Sequence, residues 1–314
     1  MQVIAVMNYK GGVGKTTISA NVGAVLAGRG HRVLLLDLDP QTNLTFSFVS
    51  VDHWQAQLKD DHTIQRWYDG DMPGRDARLS DLIVTPERVN KMIAGGGGLL
   101  DLIPSHLGLI NIDLELAAKL GGATTLSESK RKFLELHGCL RRALADDGFS
   151  RYDVILIDCA PNFGLVTKTA IVASQHILVP ARPDYLSTLG LDYLVLNCEA
   201  LVGQFNDYVH DKSGVTSDTV IEPRFLGTVF NMVQIYAQQP TTTQQKYIDE
   251  VRGNSQVRVL QSMIRNSPAL FGDAGEDGIP AMLRASGREE VAAEFSRLTD
   301  EIADALSLRM PDRP

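Results

Sequence analysis

Two lysines bracket a glycine-rich turn, Lys10-Gly11-Gly12-Val13-Gly14-Lys15-Thr16-Thr17, which follows directly on the apolar run 3–7. Gly12 and Gly14 let the backbone come close to a polyphosphate, and consecutive amide N–H groups then point into one concavity. Lys15 supplies a point charge for the outer phosphates, and the Thr16 hydroxyl is placed to ligate Mg²⁺. A helix starting near Lys15 aims its positive end at the same anion. A mere tight turn would need neither the strand before it nor the helix after it. Both are predicted here: from Thr16 to about Arg29, Ile18, Val22, Val25 and Leu26 share one helical face.

Carboxylates stand behind this loop. A second apolar run ends in Leu36-Asp37-Leu38-Asp39-Pro40-Gln41. Open α/β sheets bind ligands beyond the carboxyl ends of their strands, which puts Asp37 and Asp39 near the phosphates. Two bare carboxylates repel each other, and a divalent cation with Lys10 and Lys15 nearby removes that penalty. A later run, Val154-Ile155-Leu156-Ile157, ends in Asp158, which is suited to hold Mg²⁺ through a coordinated water. The turn Pro161-Asn162-Phe163-Gly164 then lies where a γ-phosphate could be sensed.

The elements that must position these groups are legible as short apolar runs at 3–7, 32–36, 99–103, 153–157, 176–179 and 225–230. They alternate with helical patterns at 129–145, 189–203, 241–252 and 288–308. Near-continuous apolar strands alternating with helices imply an α/β fold, with a largely parallel twisted sheet covered by helices on both faces. With 314 residues and 44% hydrophobic content, a single domain over 1–314 is expected. An excursion near 50–98 breaks the rhythm: it carries Trp54, Trp67 and Tyr68 and is read as partly helical. Its Gly95–Gly98 run reads as a flexible connector, because no Lys-Thr step follows it. Residues 309–314 read as a loose tail.

Net charge is −8 and the sequence pI is near 5.4, which argues against a generally basic nucleic-acid coat but allows a local patch. The three cysteines, Cys139, Cys159 and Cys198, form no Cys-x-x-Cys and read as free thiols. No run reaches membrane-spanning length, and the start is a strand rather than a signal segment, so a cytoplasmic protein is expected.

The loop departs from the standard phosphate-binding pattern. Position 9 is Tyr where glycine is usual, and the second lysine, Lys10, follows it. Lys-Gly-Gly-Val-Gly-Lys-Thr is the deviant Walker A motif, and it resembles the loop of the ParA/MinD family of ATPases. Further similar stretches at 33–43, 102–105, 152–161, 178–190 and 226–231 extend the likeness over most of the chain and favour the ParA branch, that of chromosome and plasmid partition.

That resemblance implies a P-loop NTPase fold, ATP and Mg²⁺ as cofactors, slow hydrolysis and an ATP-dependent sandwich homodimer. It implies that Lys10 reaches across the dimer to the partner's phosphates, as an arginine finger does. Gly11, Gly12, Val13, Gly14, Lys15, Thr16 and Thr17 would cradle the nucleotide. Asp39 would position the attacking water, Asp37 and Asp158 would belong to the outer shell of the metal, and Asn231 would hydrogen-bond adenine. The family's proline beside the adenine is displaced here, in Met263-Ile264-Arg265-Asn266-Ser267-Pro268.

ParA-like dimers bind duplex DNA nonspecifically and are stimulated by a ParB-like partner, which makes nucleoid association the expectation. Candidate contacts are Lys246, Arg252, Arg258, Arg265, Arg284 and Arg288, diluted by Asp249, Glu250, Glu289 and Glu290. A MinD-like membrane helix is disfavoured: the C-terminal helix carries Glu289, Glu290, Glu294, Asp300, Glu301 and Asp304 opposite its apolar residues, and anionic lipids repel such a face. A metabolic amidoligase is the other alternative, but it has no need of a lysine at position 10.

Overall fold

The computed structural model describes residues 1–71, 78–211, 218–254, 256–271, 278–284 and 289–308. Six strands, β1 (Gln2–Val6), β2 (Arg32–Asp37), β3 (Leu99–Ile103), β4 (Val154–Asp158), β5 (His176–Ala181) and β6 (Arg224–Phe230), form one sheet. Their order is β3-β2-β4-β1-β5-β6, and every pairing is parallel. Each predicted run is a strand, displaced by at most two residues at an end.

Period-two alternation divides the core. Val3, Ala5, Leu34, Leu36, Ile155, Ile157, Ile177 and Val179 face one apolar layer, and Ile4, Val6, Val33, Leu35, Val154, Leu156 and Leu178 face the other. The first layer is closed by helices Leu109–Leu120, Leu126–His137, Leu165–Ala173 and Tyr185–His210. The second is closed by the phosphate-loop helix Lys15–Gly28 and the C-terminal helix Glu289–Ala305.

The C-terminal helix packs as core, as its charge pattern predicts. Val291, Phe295, Leu298, Ile302 and Leu306 are buried, and Arg29 on the phosphate-loop helix donates to Asp300 and to Ser296 Oγ. Glu294 does not belong to its wet face. It is buried and accepts from the Arg265 backbone N–H and guanidinium. No helix among the described residues is long and apolar enough to cross a membrane.

Two expectations change, and a third, the partly helical excursion, holds. The helical pattern 129–145 is two helices, Leu126–His137 and Cys139–Leu144, separated at Gly138. Two of the glycines at 95–98 serve close packing. A Cβ on Gly98 would lie 1.9 Å from the Ala27 carbonyl oxygen, and one on Gly96 would lie 2.2 Å from that of Gly28, so the end of the phosphate-loop helix rests on bare backbone. The excursion is helical at 51–58 and 64–68 and anchors itself through buried Trp54, Leu58 and Ile64. The tail 309–314 lies outside the described residues.

Candidate nucleotide site

The sheet brings three strand ends to one level, because Val6 on β1 and Asp37 on β2 both pair with Asp158 on β4. The chain steps from β1 into the phosphate loop and then into helix Lys15–Gly28. Gly12 and Gly14 have φ of 70° and 89°, the left-handed region that the concave loop requires. A cavity of 540 Å³ opens above the loop, within the range of small-ligand sites. It is lined by Gly11, Gly12, Gly14, Lys15, Thr16, Thr17 and Asp39 among others.

Lys15 is buried, and its ammonium donates to the Lys10 carbonyl at 3.3 Å. Burial lowers its pKa, while Asp158 and Asp39 pull it back up. A cation held this way is poised for an anion. The Thr16 hydroxyl donates to Asp158 Oδ2 at 2.7 Å, and Ser19 Oγ donates to the other oxygen at 3.2 Å. Asp158 is fully buried, and desolvation lifts its carboxyl to about 7 despite Thr16 and Lys15. A hydroxyl and a poorly solvated carboxylate beneath a phosphate cradle are hard oxygen donors suited to Mg²⁺. Among the described residues, no three His, Cys, Asp or Glu side chains converge as a metal cage. The donors present fit an ion held largely by nucleotide phosphates.

This arrangement sets an expected result for Asp158→Asn in the nucleotide-free protein. The amide oxygen can still accept from Thr16, and the amide nitrogen can donate to Ser19 Oγ in place of the bond the carboxylate accepted. In wild type, the folded chain holds a proton on Asp158 up to about pH 7, whereas an unfolded chain releases it near pH 4. Asp158 therefore costs stability progressively as pH rises between those values. The variant should melt with wild type near pH 4 and several degrees above it at pH 8, a gain on the order of 4 kcal/mol for a carboxyl lifted from about 4 to about 7. Calorimetric melts across that range check this. An advantage independent of pH would contradict it.

Asp37 and Asp39 part company. Asp39 lines the cavity. Its Oδ1 accepts from the Gln41 amide at 3.0 Å, and burial raises its pKa against the pull of Gln41 and Lys15. Asp37 does not line the cavity. Both of its oxygens are used within the protein, by the Asp39 amide and by the Thr45 amide and hydroxyl. Burial, and next the neighbouring Asp158, push its pKa well up. Asp37 thus shapes the β2 exit loop, and the reading of it as a metal-shell residue has no support in its contacts.

Asn231 is also placed differently from the adenine contact expected of it. It ends β6, is 2% exposed, and donates to the Val13 carbonyl at 3.2 Å. A Cβ on Gly14 would sit 1.8 Å from its Nδ2, so Asn231 and Gly14 are fitted to each other beneath the loop. Met232, Phe271, Pro280 and Phe46 line the rest of the cavity instead, residues that sequence reading missed.

Lys10 does not line the cavity formed by its own loop. Its ammonium donates to Asp184 Oδ1 at 2.8 Å and to Ser187 Oγ at 3.0 Å. Of the basic candidates at the C-terminal end, Arg258 pairs with Glu301, Arg252 with Asp249, and Arg265 with Glu290 and Glu294. Lys246 is exposed and makes no ion pair among the described residues, and Arg284 donates to the Ile279 carbonyl. Arg288 lies outside the described residues.

Comparison with known proteins accords with this geometry. A family model described as an AAA domain matches residues 1–210. Sporulation initiation inhibitor protein Soj of Bacillus subtilis is 32% identical over 302 residues, covering 96% of this chain and 98% of Soj. Among solved structures, an aspartate-to-alanine variant of Cyanothece McdA in complex with ATP superposes with a TM-score of 0.69 at 19% identity, covering 100% of this chain and 99% of McdA. Cobyrinic acid a,c-diamide synthase from Mycobacterium smegmatis, with bound ADP and magnesium, gives a TM-score of 0.64 at 24% identity, covering 98% and 97%. At these identities the two structural likenesses show a shared fold. With residues 1–210 under the AAA-domain model and nearly the whole chain aligned with Soj, the protein belongs to the ParA/Soj family of P-loop ATPases.

Proposed function

We propose that this chain is an ATP-driven dimeric switch that hydrolyses ATP slowly, binds duplex DNA nonspecifically as the ATP dimer, and moves DNA or another cargo when a ParB-like partner stimulates hydrolysis. The observation that carries this reading is the place of Lys10, which does not line the cavity of its own loop and whose ammonium is bonded instead to Asp184 and Ser187. A second feature supports self-association. Leu107, Ile110 and Leu114, and Tyr185, Leu186, Leu189, Tyr193 and Leu196, are all more than half exposed, on or beside helices Leu109–Leu120 and Tyr185–His210. Apolar stripes of this kind mark interaction surfaces.

In this mechanism the loop amides and Lys15 bind and orient the triphosphate. Thr16 directly, and Asp158 through water, would hold Mg²⁺, which neutralises phosphate charge when bound. Asp39 holds the attacking water and takes up its proton, and Lys10 of the second copy stabilises the charge that develops. Carboxylates hold Arg252, Arg258 and Arg265 in the single chain. Affinity for DNA would then come from two copies presenting their weak patches on one face, with Lys246 an exposed cation that makes no ion pair among the described residues. Such a protein would be cytoplasmic and associated with the nucleoid. The acidic face of the C-terminal helix disfavours a membrane surface as its seat.

Binding of a labelled duplex, measured with ATP–Mg²⁺ and with ADP across a salt series, tests the reading. Binding with ATP alone, falling steeply as salt rises, is expected. An ATP dimer that ignores DNA at every salt concentration would remove the DNA-moving function and leave a switch acting on a protein or membrane surface.

A further inference from the structure

We infer that Asp184 and Ser187 form a clasp that holds Lys10 within its own chain, and that this clasp must open before Lys10 can serve a second copy. The inference rests on the dimeric-switch reading and adds to it the positioning residues that set when Lys10 becomes available.

The clasp is built from two directions. At one end, the Lys10 amide donates to Asn8 Oδ1 at 3.0 Å, and Asn8 Nδ2 donates to the Pro180 carbonyl on β5 at 2.8 Å. The start of the phosphate loop is thereby stitched to the strand that leads to the clasp. At the other end, Asp184 caps helix Tyr185–His210: its Oδ1 accepts the Ser187 amide at 2.9 Å as well as the Lys10 ammonium. Ser187 is 1% exposed, so its hydroxyl has a fixed place. Arg182 Nε stands 3.6 Å from the second oxygen of Asp184. Burial acts to raise the Asp184 pKa, but the hydrogen bonds from Lys10 and Ser187 outweigh it and hold the carboxyl below its usual value.

The same helical turn faces two ways. Asp184 and Ser187 hold Lys10 on its inner side, while Tyr185 and Leu186 project outward, 58% and 66% exposed. A second copy covering Leu186 and Leu189 would bear on the turn that carries the clasp. Lys10 cannot hold Asp184 and a partner's phosphate at the same time, so the two contacts compete. A chain with the clasp weakened should dimerise more readily.

The test uses Asp184→Asn, which keeps a good helix cap while removing the charge, and Ser187→Ala, with a non-hydrolysable ATP analogue and Mg²⁺. An ion pair about one-third exposed on each side is worth about threefold in an equilibrium constant. Two clasps open per dimer, so the dimer dissociation constant of Asp184→Asn should fall about tenfold. Reductive methylation of the nucleotide-free chain gives a second readout, one that a purely structural cap would not move: Lys10 should react about threefold faster in both variants. Unchanged Lys10 reactivity would overturn the clasp. So would a weaker dimer in Asp184→Asn, which would put Asp184 at work across the interface. If wild type forms no dimer with the analogue, the dimeric-switch reading falls, and Lys10 reactivity still decides whether the clasp exists.

Discussion

Asp39→Ala is expected to lower ATP turnover by at least about 100-fold while leaving ATP binding and ATP-driven assembly in place. The carboxyl lines the cavity, and among the described residues only its Oδ1 accepts a bond, from Gln41. Burial lifts its pKa, as suits a group that must take a proton from water. The surrounding loop does not depend on this side chain. The Asp39 carbonyl accepts from the Thr42 amide at 2.9 Å and from Ser105 Oγ at 2.7 Å, and both bonds survive the substitution. Chemistry should therefore be lost without loss of shape. Phosphate release and sedimentation with ATP–Mg²⁺ measure the two halves of this expectation. Turnover within threefold of wild type would assign the proton to another group. In wild type, the raised pKa should also make turnover fall on the acid side at a higher pH than an ordinary aspartate would give.

Much of the fold was legible in the sequence because of how the sheet is buried. Parallel strands covered on both faces carry apolar side chains at every position, so β1 to β6 stood out as short runs. Helices Leu109–Leu120 and Leu165–Ala173 escaped notice for opposite reasons. The first exposes Ile110 and Leu114 on the face that should be polar, and the second is buried almost all round, so neither presents a single apolar stripe. The close packing at Gly98 depends on the end of the phosphate-loop helix, a partner about 70 positions earlier in the chain.

In the site, the loop from Gly11 to Thr17 could be read outright, because its chemistry lies in contiguous residues that serve one anion. Asp37 and Asp39 looked alike by position, and only the folded exit loop separates them: Thr45 and backbone amides consume Asp37, while Asp39 faces the cavity. Arg265 stood among the candidate DNA contacts as one basic residue of the C-terminal region. Its carboxylate partners Glu290 and Glu294 lie 25 and 29 positions away. Lys10 and Asp184 are separated by 174 positions and meet only because β1 and β5 are adjacent.

Lys10→Ala separates the two lysines of the loop by function. Lys10 does not line the cavity, so nucleotide affinity of the single chain should stay within about threefold of wild type, the weight of one exposed charge contact. The fold should also survive, because the pair lost with Asp184 is about one-third exposed on each side and is worth at most about 1 kcal/mol. Turnover is a different matter. A cation delivered from a second copy to the developing phosphate charge contributes as an arginine finger does, about a thousandfold or more. Wild-type turnover per chain should rise with protein concentration as dimers form, whereas the variant should stay low and flat. A steady-state series over the dimerisation range resolves the two curves. Normal hydrolysis by Lys10→Ala at every concentration would mean that each chain completes its own site, and that the lysine on Asp184 has no part in catalysis.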